Sequence, residues 1–307
     1  MRMPLRPLNP PSNLSVIAFV CLVPLLFPAS LKCQPYTSTW VSGPKSSLRL
    51  IAAGGGPPGT GYRAGIEIQL DPGALTYWRT PGTAGVPPEF SFEGSTNIAA
   101  IAVTYPAPTR FVEDGTDVFG YRGNVIFPIR VMPKDWSHPV QLVLNLSYAV
   151  CARICIPGKA EAKLTLIPSQ AGTSPSSAQA SIIAAAEALV PAHLTAQQRD
   201  DKVQILRDDA ASSPTWRIFP RDGTAQDVFA EAPPGWYFDT RASNRPNEFL
   251  IIEAERPYSG TVRPSVVLTL KNEQQSYEFA ADLDAVPSSV NSIEAAPQAV
   301  FPSTRTK

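Results

Sequence analysis

Two cysteines with three residues between them, Cys151 and Cys155 in the run YAVCARICIPG (148–158), are the residues best suited to chemistry in this chain. Thiols this close can close a small disulfide loop, share a metal ion, or sit as two small buried side chains. A disulfide needs Cα atoms about 4.4–6.8 Å apart, whereas four residues of extended strand separate them by roughly 13 Å. If the two are bonded, CARIC must curl into a turn where the apolar run ends. The loop so closed is very short, and its entropic stabilisation of the fold is correspondingly small. Such a bond is better placed to exchange than to staple. The adjacent Arg153 is of the charge type that favours a thiolate. Spacing alone leaves redox exchange and a structural disulfide both open.

Other chemistries find less support. Zinc takes about four N or S ligands, but the two histidines, His138 and His193, fall in different regions from each other. No metal or cofactor site is expected, although Cu(I) on two thiolates suits the pair better than zinc does. A Gly-x-Ser-x-Gly elbow is lacking, and the acidic pairs Glu113/Asp114 and Asp208/Asp209 sit among turn residues, where they read as solvated loop charges. The glycine run GGGPPGTG (54–61) lacks the Gly-Lys-Ser/Thr ending of a phosphate loop and reads as a connection between strands. A net charge of +0, with 17% charged residues, supplies no basic field for nucleic acid.

The elements that must position the pair are short strands. The 33 prolines and 19 glycines argue for strands joined by turns. Alternating or apolar runs occur at 47–52, 62–70, 75–79, 90–92, 98–105, 125–131 and 140–150, about ten residues apart, the spacing of an antiparallel sandwich. The lack of βαβ alternation disfavours a thioredoxin-like fold. A Ser/Ala-rich linker with one short helix, 182–190, occupies 169–200. A second, smaller β domain is expected at 201–284, and a mobile tail at 285–307. At the N-terminus, Arg2 and Arg6 precede the apolar run 14–29, which Pro24 and Pro28 interrupt. That is the pattern of a cleaved signal peptide over 1–33, without a lipid anchor, so export to the periplasm is expected. Disulfides persist in such a compartment.

The stretch VCARICIPG resembles the cysteine motif of the N-terminal periplasmic domain of the DsbD/ScsB family of thiol:disulfide interchange proteins. Upstream, GIEIQLDPGALTYWRTPGTAGVPPEFSF resembles that domain's aromatic strand and Pro-Gly loop, and 102–128 resembles the stretch leading through its cap loop. The resemblance spans 40–167. The second β region is more weakly similar to the segment after this domain in ScsB-like proteins. The resemblance implies an immunoglobulin-like all-β domain whose cysteine pair is reduced by a membrane-embedded relay and then reduces oxidised periplasmic partners, thioredoxin-fold or other disulfide proteins. In that scheme Cys155 forms the intermolecular disulfide and Cys151 resolves it. An aromatic cap is also implied, and DVFGY (117–121) matches its position, with Phe119 the expected shielding ring and Tyr121 second. The C-x3-C spacing is like the ScsB branch. No apolar span or C-x-x-C module follows the β regions, so the expected donor is a separate membrane thiol reductase. The alternative is a non-catalytic periplasmic binding module whose pair is a fixed disulfide or carries Cu(I).

Overall fold

The computed structural model describes residues 36–53, 59–168, 178–223, 225–257 and 263–288. The expected leader, residues 169–177 of the linker and 289–307 of the tail lie outside the described residues.

Apolar side chains at every second position build the first half, because strand side chains point alternately to opposite faces. Its strands are β1 (Val41–Gly43), β2 (Ser46–Ala52), β3 (Tyr62–Leu70), β4 (Leu75–Gly82), β5 (Glu89–Ser91), β6 (Ile98–Val103), β7 (Thr109–Glu113), β8 (Thr116–Arg122), β9 (Asn124–Pro133), β10 (Val140–Cys151) and β11 (Cys155–Leu166). One sheet runs β1-β2-β3-β9-β6; the other runs β11-β10-β4-β8-β7, with β5 also paired to β10. Leu50, Ile66 and Phe127 of the first sheet meet Trp78, Phe119, Leu144 and Tyr148 of the second in one core. Each such side chain contributes about 1.5–3 kcal/mol by leaving water. The result is an immunoglobulin-like antiparallel sandwich within an all-β protein.

The second half comprises α1 (Ala178–Ala188), β12 (Ala192–His193), α2 (Ala196–Lys202), β13 (Val203–Arg207), β14 (Thr215–Pro220), β15 (Ala225–Glu231), β16 (Tyr237–Ala242), β17 (Phe249–Glu255), β18 (Ser265–Asn272) and β19 (Tyr277–Asp282). Sheets ordered β12-β19-β18-β15 and β13-β14-β17-β16 enclose a core of Trp216, Ile218, Phe249 and Ile251 with Val266, Leu268 and Phe279. Asn272 ends β18 and Tyr277 opens β19, and residues 273–276 make the hairpin turn between them.

The structure adds strands outside the runs read from the sequence, β1, β7 and β8 among them, and it differs further in its helices and after Cys155. The helix expected at 182–190 is α1, which starts at Ala178 because the preceding Ala-rich residues continue it. A second short helix, α2, comes after it, held by a capping box in which Thr195 and Gln198 satisfy each other's backbone donors. The run after Cys155, to which the sequence pattern assigns no element, is the twelve-residue strand β11.

The halves belong to one compact unit, joined at α1, whose Ile183 packs on Ile51 and Ala53, and at β15. Its Val228 faces the second core, while Phe229 enters the first. Phe229 packs edge-on against Phe119 and Trp78, with ring centroids 4.9 and 5.8 Å away.

Candidate redox site

β10 and β11 form a hairpin whose register pairs Val150 with Ile156 and, at the tip, Cys151 with Cys155. Ala152, Arg153 and Ile154 make the turn. Cys151 and Cys155 are joined as a disulfide with Cα atoms 4.0 Å apart. CARIC therefore curls where the strand ends, as a bonded pair requires.

Neighbouring strands give the two sulfurs different surroundings. Tyr148 and Val150 face the sandwich core, so the alternate residues Ala149 and Cys151 face the outside of the sheet. There Cys151 meets Leu75 and Tyr77 of β4 and Val118 of β8, with Phe111 of β7 packed against the group. Cys151 is 1% exposed. Cys155, beyond the turn, is exposed, and the preceding Ile154 is 70% exposed. An incoming sulfur thus has access to Cys155, while Cys151 is sheltered.

Tyr77 organises the polar side of the site. Its Oη lies 2.7 Å from Cys151 Sγ and 3.3 Å from Cys155 Sγ, and it donates to Glu113 Oε2 at 3.0 Å. A phenol has one proton, so these three acceptors compete for it. A carboxylate is a stronger acceptor than a disulfide sulfur, and a thiolate formed at Cys151 would present a second anion at the shorter distance. Burial raises the Tyr77 phenol well above its ordinary pKa, and the hydrogen bond and charge of Glu113 reinforce the shift. The proton therefore stays on Tyr77 at neutral pH. Gly85 lies against the ring: a Cβ there would come within 2.5 Å of Cε1 of the Tyr77 ring.

The expected cap residues lie elsewhere. Phe119 and Tyr121 are on the core face of β8, Phe119 against Phe229 and Tyr121 against Phe127 with its hydroxyl donating to Pro106 O. The alternation that sends Val118 toward Cys151 sends Phe119 away from it. The covering groups at the disulfide are instead Phe111, Glu113 and Tyr77. Glu113, which in the sequence has the character of a solvated loop charge, is at the centre. Its signal is present but weak: a carboxylate ending an alternating run, three residues after Arg110.

Among the described residues, Glu113, Cys151 and Cys155 form a three-donor cluster with ligand atoms within 4.8 Å of one another. Joined as a disulfide, the sulfurs offer no thiolates to an ion. His138 stays in an exposed turn with Asp135, and His193 lies beside Glu278.

The sandwich presents a half-sheltered disulfide at a hairpin tip, with a phenol against the sulfurs, an arrangement chemically able to exchange with thiols. Residues 52–167 match the family described as "Thiol:disulfide interchange protein DsbD, N-terminal". The fold is that of the N-terminal periplasmic domain of ScsB from Proteus mirabilis, at a TM-score of 0.62 and 20% identity over 83% of this chain and 99% of that one. Two glycoside hydrolase family 107 endo-fucoidan hydrolases align only marginally. MfFcnA4 reaches a TM-score of 0.17 at 11% identity over 80% of this chain and 37% of that one. MfFcnA9 reaches 0.14 at 12% identity over 70% and 33%. No curated protein matches the chain. No helix among the described residues is long and apolar enough to cross a membrane.

Proposed function

We propose that this protein carries electron pairs in the periplasm by exchanging the Cys151–Cys155 disulfide. The reductant is the dithiol of a membrane-embedded thiol reductase. Its thiolate attacks Sγ of Cys155, a new S–S bond forms to that sulfur, and the Cys151–Cys155 bond breaks. The electron pair of the broken bond leaves on Cys151, whose thiolate accepts the hydrogen bond of Tyr77. The donor's second thiolate then attacks its own sulfur in the mixed disulfide, which frees Cys155 and leaves the donor oxidised. With two protons taken from solvent, the pair is a dithiol.

The second exchange runs in reverse. The Cys155 thiolate attacks the disulfide of an oxidised periplasmic partner, thioredoxin-fold or other. Cys151 then resolves the mixed disulfide, and the partner departs with two thiols.

The observation that carries this reading is the asymmetry of the pair: one exposed cysteine for a partner to reach, and one buried cysteine whose sulfur lies against a hydrogen-bond donor. The reduction potential tests it. A value of about −200 mV fits exchange, whereas one below about −300 mV fits a structural bond and overturns the proposal. The closeness of the two sulfurs supports a second reading, Cu(I) carriage by the reduced pair, whose soft thiolates suit that ion. Copper titration of the reduced protein tests it.

A further inference from the structure

We infer that the second half has a task in the first half's chemistry: β15 braces the β7–β8 hairpin closed over the disulfide. Arg110 is the positioning residue through which it acts. This rests on the exchange function proposed above and assigns the second half a part in it.

The hairpin needs a brace. β7 is an edge strand, bonded within its sheet only to β8, while β8 is also bonded to β4. Only β7 is free to peel, and β7 carries both Phe111 and Glu113 to the sulfurs. The turn joining the two strands is tight and rigid. Asp114 and Gly115 both have positive φ, 48° and 79°, the signature of a two-residue hairpin loop. Movement at Arg110 is therefore transmitted along three residues of strand to Glu113.

The side chains of β15 that face the first half are suited to hold it. Asp227, Phe229 and Glu231 alternate along one face of β15, and all engage the first half. Arg110 places Nε and Nη2 on the two Asp227 carboxylate oxygens at 3.0 and 2.9 Å. Its Nη2 also donates to Val228 O at 3.2 Å and to Thr240 Oγ1 at 2.9 Å, while Nη1 reaches Asp117 at 2.6 Å. The guanidinium lies over the Phe119 ring at 4.9 Å and the Phe229 ring at 5.6 Å. Lys271 Nζ of β18 adds a hydrogen bond of 2.7 Å to Thr109 Oγ1, at the start of β7. On β4, two residues after Tyr77, Arg79 is held by Glu231 and Glu278. Both strands that present polar groups to the disulfide, β4 and β7, are thus anchored to the same strand of the second half. A bidentate, partly buried Arg–carboxylate pair is strong enough to hold an edge strand in place.

The test needs no partner protein, so its failure and that of the exchange function are distinguishable. Reduced Cys155→Ala and Cys151→Ala proteins are alkylated with iodoacetamide, each reporting the remaining thiol. With the brace intact, Cys151 reacts far more slowly than Cys155. Adding Asp227→Asn is expected to raise the Cys151 rate at least about tenfold relative to Cys155, the size set by losing a charge-assisted hydrogen bond to local opening. Asp227→Glu, which keeps the carboxylate, is expected to restore most of the protection. Val266→Ala, in the core of the second half and away from the brace, lowers global stability without moving the ratio. An unchanged ratio in Asp227→Asn overturns the inference, and so does an equal shift in Val266→Ala.

Discussion

Tyr77 Oη stands 2.7 Å from the sulfur of buried Cys151, nearer than its 3.3 Å to the sulfur of exposed Cys155. When the disulfide opens by attack at Cys155, negative charge develops at Cys151, directly at this donor. Hydrogen bonds to charged groups are worth about 1.5–3 kcal/mol, against about 1 kcal/mol between neutral groups. Tyr77→Phe is therefore expected to slow reduction of the disulfide by a small dithiol about tenfold or more. The fold should be kept, since only the hydroxyl is lost. Stopped-flow reduction with denaturant curves on the same samples checks both halves of this statement.

Glu113 competes with Cys151 for the Tyr77 proton. Glu113→Gln removes the anion and frees the phenol for the thiolate. The reduced state should gain relative to the oxidised one, raising the reduction potential by up to about 30 mV, the equivalent of about 1.4 kcal/mol for a two-electron couple. Equilibration against a glutathione buffer measures it.

The shift at Tyr77 makes a pH prediction with a defined sign. Burial first, and Glu113 second, raise its pKa above the ordinary 10.0. The folded state then holds a proton that the unfolded state loses. The stability tied to Tyr77 is complete below about pH 10 and is lost as pH rises from there toward the folded value. Tyr77→Phe should flatten this alkaline fall in denaturant midpoint between pH 9 and 11, numbers that bracket the ordinary tyrosine value at about one unit. Tyrosinate absorbance should count one fewer late-titrating phenol in the variant.

Gly85 offers a test by crowding. Its φ is 112° and a Cβ would press on the Tyr77 ring, so Gly85→Ala both strains the backbone and displaces the phenol. Overpacking of this kind costs about 1–3 kcal/mol. The variant should lose that much stability and also exchange more slowly, as Tyr77→Phe does.

Much of the fold was legible because its strands obey a period of two. Leu48, Leu50, Ile66, Ile68 and Leu70 declare their buried face, and the loops between them carry Gly and Pro. β11 is equally regular over 159–166, but Pro157 and Gly158 at its start are residues that weaken a strand pattern. The Ala-rich start of α1 reads as linker composition, because alanine is common to both. The cysteine pair itself was plain, and its spacing required a turn at 151–155 if the two are bonded. Its neighbours were not. Tyr77 lies 74 residues before Cys151 and 36 before Glu113, and only the β10–β4–β8–β7 pairing brings the three together. Phe119 and Tyr121 failed as a cap for a related reason. A match in position along the chain does not fix which face of β8 a side chain takes, and Val118 takes the disulfide face.

The central claim is that Cys155 is the exchanging sulfur and Cys151 the sheltered one. Reduced Cys151→Ala and Cys155→Ala variants, each offered an oxidised thioredoxin-fold protein, test it most directly. The account predicts a stable mixed disulfide through Cys155 in Cys151→Ala, and little or none in Cys155→Ala. Trapping only through Cys151, or none from either folded variant, would contradict it.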